Sequence, residues 1–333
     1  MIKTFELVAD VTPTRTDSHG VMAKANVSRH VKQNDSTTFE QLFCSSDLSD
    51  EIYVQLTFIS ALNAILSIAA FLGNTLILVA LRKESSLHPP SKVLLRNLAT
   101  TDLLVGLISE PLYVTLLVTV LQEHWNICRY LMDPVFVTST ILCGVSLFTV
   151  TAISVDRLLA LLLGLKYRQV VTLTRTNVVV ITCWVVSIVS SSMRLYSDPI
   201  ITSRYSNIVV PLCLVTSIFC YTKIFFTLRH HQSEIQDHVQ QPNQTNQLNI
   251  TRYRKAVVTA LWLQFTLVAC YLPQVIPVTL IIHSEPSSSV ALAWSYTFTL
   301  VFLNSSLNPI LYSWKIEEVR QAVKDTIRQV LCY

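Results

Sequence analysis

Seven stretches of this chain are almost wholly apolar, and polar segments divide them. They run Tyr53–Leu81, Val93–Leu121, Cys128–Leu163, Val178–Leu195, Ile208–Leu228, Ala256–Ile282 and Val290–Tyr312. Each is close to or above the ~20 residues that carry a helix across the hydrocarbon core of a bilayer. Only a helix or a closed barrel satisfies its backbone inside lipid, and none of these runs alternates as a barrel strand would. No repeat or low-complexity tract interrupts them. The pattern predicts an all-α membrane protein, a seven-transmembrane helix bundle over residues 53–312.

The flanks differ from the runs. Residues 1–52 are polar, rich in Thr, Ser, Asp and Lys, and hold no apolar core of a cleavable signal. They are expected to form a disordered extracellular tail, with the first run acting as the export signal. Asn26 and Asn34 open glycosylation sequons there. After Tyr312, apolar Ile316, Val319, Val323, Ile327 and Val330 or Leu331 recur with a helical period among charges. Residues 313–333 therefore predict a short amphipathic eighth helix lying on membrane lipid, with Cys332 a palmitoylation candidate.

Composition agrees with the membrane reading: 51% of residues are hydrophobic and 14% charged, against roughly 25% charged in soluble domains. Lys and Arg set the orientation. Arg82, Lys83, Lys92, Arg96, Lys166, Arg168, Arg175, Lys223 and Arg229 fall on one side, with Arg252, Arg254, Lys255 and the tail. The other side holds Arg129, Arg194 and Arg204. The N-terminus is then extracellular in a multi-pass plasma-membrane protein. The net charge of +4 reads as orientation, and nucleic acid is not expected as a partner.

Polar groups inside the runs carry the specific signal, because they are costly at that depth. They are Gly73-Asn74, then Asn97 to Asp102, then Ser146 and Asp156-Arg157. Trp184, Tyr221, Tyr271-Leu272-Pro273, Asn304 and Asn308-Pro309-Ile310-Leu311-Tyr312 follow. Asp102 needs a partner or a cation in hydrocarbon. Ser146, Asn304 and Asn308 can supply oxygens, and the two Asn lie one turn apart on a helix. Pro273 and Pro309 each remove a backbone hydrogen bond and loosen their helices, as a two-state bundle requires.

In order and spacing, these motifs resemble the rhodopsin-like (class A) G-protein-coupled receptors over residues 53–333. The resemblance implies that Asp102, Ser146, Asn304 and Asn308 hold a sodium ion, with no other cofactor. It implies that Asp156, Arg157, Tyr221, Tyr271, Pro273, Pro309 and Tyr312 form the switch that meets a heterotrimeric G protein. Arg157 is held by Asp156 and, once released, reaches Tyr221. Residues Leu165 to Thr172 resemble the family's second cytoplasmic loop, and arrestin would share that face. The chain departs from the pattern at Tyr271, where the family has tryptophan, and at Leu267, where it has an aromatic. Tyr253 replaces an acidic partner of Arg157, which implies a weaker inactive lock and some basal activity.

An extracellular ligand is expected, but no ligand signature is complete. Ser139 stands where amine receptors carry Asp, Phe302 where opsins carry lysine, and Val278 where adenosine receptors carry Asn. The seventh helix and tail are similar to adenosine receptors; the short, cysteine-free second outer loop is similar to melanocortin receptors. Glu110 and Asp133 would sit near the outer mouth and pair with a cationic amine or basic peptide. Ser139, Tyr271 and Gln274 are further ligand-binding candidates. Five of the eight cysteines lie in the runs; Cys128 sits at the outer end of the third, and Cys44 is the other outer-side candidate. A Cys44–Cys128 bridge would tie the tail over the bundle mouth, and the sequence leaves that pairing open. Two other classes lack their marks. A transporter, channel or pump would show an inverted repeat, several charged spans or a retinal lysine, and a hydrolase would show clustered His and Asp.

Overall fold

The computed structural model describes residues 39–83, 88–196, 199–238, 262, 264–284 and 287–315, with 320, 321, 323, 324 and 328 beyond them. Among the described residues there are helices and no strands. Seven helices are long and apolar enough to cross a membrane: Ile52–Arg82, Pro89–Leu121, Trp125–Val170, Leu173–Met193, Ser203–His230, Gln264–His283 and Ser288–Leu311. They are numbered below as the first to seventh spans.

Their faces divide as a membrane solvent dictates. Val54, Phe58, Ile65, Ile68, Val178, Ile181, Leu212 and Phe219 are exposed, whereas Asn63, Asn74, Asp102, Ser146 and Asn308 are buried. Polar groups of the spans gather inside, and apolar side chains both cover the outside and pack between the helices. Without a hydrophobic drive between helices, such a bundle is held by close packing and by hydrogen bonds between spans. Ser306 donates to the Leu66 carbonyl at 3.0 Å, Ser191 to the Val137 carbonyl at 3.1 Å, and Ser67 to the Gly106 carbonyl at 2.7 Å.

Glycine allows the closest approach. A Cβ on Gly106 would lie 2.8 Å from the Ala70 Cβ and the Ser67 carbonyl oxygen, and one on Gly73 would lie 2.9 Å from the Pro309 ring. Gly106 sits inside a single π turn, Val105–Ser109, that interrupts the second span. Valine at Gly106 must therefore push the first and second spans apart. Its cost should be about 1–3 kcal/mol, read as a lowered unfolding midpoint and reduced surface delivery.

Two elements depart from the expected boundaries. The first helix starts at Ser46 and bends at Ile52 (φ −130°, ψ 17°), before the expected Tyr53. A separate short helix, Phe39–Phe43, precedes it, and Phe43 and Cys44 are completely buried in the main core. The end of the expected disordered tail is thus a packed part of the bundle. Beyond the seventh span, Val323 is buried in the core while Gln321, Lys324 and Arg328 are exposed. Asn26, Asn34, Tyr253 and Cys332 lie outside the described residues, as does the Tyr312 side chain.

Candidate functional site

Asp102 is fully buried at the middle of the second span. Its Oδ1 accepts hydrogen bonds from the hydroxyls of Ser146 and Ser305, both at 2.9 Å, and its Oδ2 accepts one from the Asn308 amide at 2.7 Å. Three spans therefore converge on one carboxylate. Asn74 brings in the first span by donating to the Ser305 carbonyl at 3.1 Å. Asn97 donates to Thr149 at 2.8 Å and accepts from the Trp184 indole at 3.0 Å, which adds the fourth. Ser305 was missed in the sequence; it lies three residues before Asn308, the spacing that shares a helix face.

This hub has donors but no compensating charge. None of the buried polar residues among those described is Lys, Arg or His. Asn304 is buried one turn from Asn308, and its side-chain nitrogen has no partner among the described residues. The oxygens gathered here suit a small hard cation, which prefers oxygen ligands. A carboxylate, two hydroxyls and amide oxygens fit the group that the sequence resemblance implied.

At one end of the third span, Asp156 is buried and Arg157 exposed. The Asp156 carboxylate accepts from Ser91 at 3.0 Å and from the Tyr167 hydroxyl at 2.6 Å. This corrects the expected Asp156–Arg157 pairing: two neutral hydroxyls hold the acid, and the guanidinium is left facing outward. Tyr221 is buried with Leu158, Ile224 and Leu228 in a small cluster beside this end. Pro273 lies in a 3-10 turn, Leu272–Gln274, that breaks the sixth span. The hydroxyl of Tyr271, just before that turn, donates to the Cys143 carbonyl on the third span at 3.3 Å. Pro309 packs against Gly73.

Toward the other end lies a cavity of about 150 Å³ between the third, fourth, fifth, sixth and seventh spans. Phe136, Ser139, Ser187, Tyr271, Gln274 and Trp294 are among its walls. Over it sits an aromatic cluster in which Trp294 stacks on Phe298 (4.7 Å between ring centres) and meets Phe39, Phe43 and Phe136 at 5.3–5.6 Å. A Cys44–Cys128 disulfide ties the Phe39–Phe43 helix to the start of the third span. A bundle with a polar hub between a walled cavity and an exposed arginine is what a transmembrane switch needs.

Residues 73–200 and 195–312 match the family model of the 7 transmembrane receptor (rhodopsin family). The chain belongs to this receptor family. Membership carries coupling to G proteins and response to an extracellular ligand, in a multi-pass membrane protein that is generally not an enzyme.

One of the receptor's two expected mouth acids needs correcting. Glu110 is completely buried, neither of its carboxylate oxygens has a partner among the described residues, and it does not line the cavity. It stands eleven residues before the end of its helix at Leu121, so it lies ~16 Å below that end at 1.5 Å per residue. Asp133 is exposed and also absent from the walls. The cavity therefore presents neither acid to an incoming cation. Of the ligand candidates, Ser139, Tyr271 and Gln274 do line it. Ser187 had no signal in the sequence, since a serine in an apolar helix usually bonds its own backbone.

Proposed function

We propose that this receptor sits in the plasma membrane with its N-terminus outside and converts occupancy of the cavity into nucleotide exchange on a heterotrimeric G protein. The observation that carries the reading is the Asp102 hub, where hydrogen bonds from Ser146, Ser305 and Asn308 join the second, third and seventh spans. Its position between cavity and Arg157 lets one set of bonds answer to both ends. The walls of the cavity include the third, sixth and seventh spans, and the 3-10 turn at Pro273 and the proline at 309 weaken the last two. A ligand that prefers one packing of these helices shifts the population of the other.

The Arg157 end bears the excess of basic residues, which supports placing it in the cytosol. There the exposed guanidinium can bond the carbonyls or carboxylate of an inserted G-protein segment. Arrestin would compete for the same face. When bound, a sodium ion would supply the counter-charge that the Asp102 carboxylate lacks; Asp102, Ser146, Ser305, Asn304 and Asn308 would hold it. A cationic amine or basic peptide loses its support here, because neither Glu110 nor Asp133 lines the cavity.

The test is nucleotide exchange on a heterotrimer reconstituted with the full chain in lipid discs. Exchange above that of receptor-free discs is expected. Sodium should suppress it relative to a choline medium, by several-fold. Asp102→Asn should remove that difference, because the amide no longer offers a counter-charge. Exchange equal to receptor-free discs across a G-protein panel would overturn the reading.

A further inference from the structure

We infer that the cavity takes an uncharged, mainly apolar molecule bearing two hydrogen-bonding groups, one for Ser139 and one for Ser187. The inference rests on the receptor reading above and names its ligand class.

Charge comes first. No Asp, Glu, Lys, Arg or His is among the residues that wall the cavity. A charged molecule entering it would leave water without gaining a counter-ion, and that loss is severe in a low-dielectric interior. The walls are instead mostly aromatic and aliphatic, including Phe136, Phe148, Val210, Val278, Trp294 and Phe298. Such surfaces favour an apolar skeleton.

The polar groups of the walls then divide into two sets. Most are already engaged. Gln274 accepts from Thr297, Asn207 donates to Thr279, Tyr271 donates to the Cys143 carbonyl and Ser190 donates to the Ser187 carbonyl. Among the wholly buried polar atoms of the walls, two have no partner among the described residues: the hydroxyls of Ser139 (2% exposed) and Ser187 (1% exposed).

Elsewhere in the spans some buried hydroxyls bond a neighbouring span, as Ser146 and Ser306 do. Ser109, outside the cavity, is the other buried hydroxyl without a partner among the described residues. Many turn back to their own helix, as in Thr149 to Val145, Ser154 to Val150 and Ser295 to Ala291. That back-bond is the default for serine in an apolar helix. Ser139 and Ser187 forgo it and line the cavity instead. Gly144 makes room for one of them: a Cβ there would stand 3.1 Å from the Ser187 Oγ.

Spacing follows from the helix. Ser187 faces Gly144, which is five residues beyond Ser139 on the third span. The two hydroxyls are thus offset by ~7.5 Å along the helix axis. Each can donate one hydrogen bond and accept others. A phenol, alcohol or ketone at each end of a flat two-ring skeleton meets both demands.

The experiment uses two-ring aromatic hydroxyketones, each matched with a primary-ammonium and a carboxylate analogue on the same skeleton. Binding to the purified full chain is read from its unfolding midpoint, and G-protein exchange is read separately. Neutral members should raise the midpoint and the charged analogues should not. Ser139→Ala and Ser187→Ala should each weaken neutral binding about five- to tenfold, the effect of one lost hydrogen bond. Gly144→Ala should do the same by displacing the Ser187 hydroxyl. Ser139→Asp should turn the preference toward the ammonium series, a gain that a merely destabilised protein would not give.

Tighter binding of either charged series to the native chain overturns the inference. So does neutral binding indifferent to every one of these variants, or no neutral binding at all. The two levels separate cleanly. Serine-dependent neutral binding without exchange on any G protein sinks the receptor reading alone. Ligand-free exchange together with a preference for ammonium sinks the ligand class alone.

Discussion

Replacing Arg157 with alanine is expected to bring nucleotide exchange down to the receptor-free background while leaving binding in the cavity within about twofold. Few substitutions so far from a ligand would do more. The side chain is exposed, at the opposite end of the third span from Cys128. It makes no ion pair with its neighbour Asp156, whose carboxylate is taken by Ser91 and Tyr167. Its removal therefore strands no buried partner, and folding should be spared. What is lost is a planar fork of five donors. Lysine at the same place keeps the charge but not the fork, and should restore only a small part of the exchange. Arg157→Ala that exchanges normally would show that the G protein is met elsewhere.

The second large effect is expected at the disulfide. Cys44 and Cys128 are 84 residues apart in sequence. In the chain-entropy picture, closing a loop of that length is worth up to about 4.5 kcal/mol. The first two spans remain in the bilayer when the bundle loosens, so the full amount is an upper bound. Cys44→Ser should lower the unfolding midpoint by several degrees, and the native chain treated with reductant should match it. Cys44→Ser/Cys128→Ser should be no worse than either single change, since both remove the same bond. A second readout is specific to this fold. Phe43 is fully buried against Trp294, whose indole also walls the cavity. Untying its helix should hasten release of a bound hydroxyketone by roughly tenfold, with slower change in association. Unaltered release would show that the aromatic cap holds without its tether.

Much of this was legible in the chain. A run of some twenty apolar residues has few structures open to it in lipid, so the spans could be read from length and composition alone. Asp102 and Asn308 were legible for a related reason: a carboxylate and an amide at that depth must find one another or something like them. They do so at 2.7 Å. Depth along a helix was also available, yet Glu110 was placed at the mouth on its resemblance to the outer acids of melanocortin receptors. Counting residues to Leu121 would have placed it three turns deeper.

What could not be read depends on rotamer choice and on which helices meet. Nothing in the letters distinguishes Ser187, whose hydroxyl is unpartnered at the cavity wall, from Ser190, which lines the same cavity but bonds its own helix. Nothing assigns the Asp156 carboxylate to Tyr167 in preference to the adjacent Arg157, because the choice is made by how the 3-10 turn Gly164–Lys166 near the end of the third span brings Tyr167 back. The short Phe39–Phe43 helix was hidden for another reason. Its five residues carry too little periodicity to register, and its stability comes from Trp294 on a span some 250 positions away.

The π turn at Val105–Ser109 bears on how this receptor should be compared with its relatives. Such a turn accommodates one residue more than an α turn, so the helix beyond it is rotated by about 100°. Residues outward of Ser109 therefore cannot be matched to a straight second helix by counting from Asp102. Tyr113, which packs on Trp294, Phe298 and Phe302, would be assigned to the wrong wall. Homology transfer from a relative whose second helix is uninterrupted needs a one-residue gap placed inside the turn.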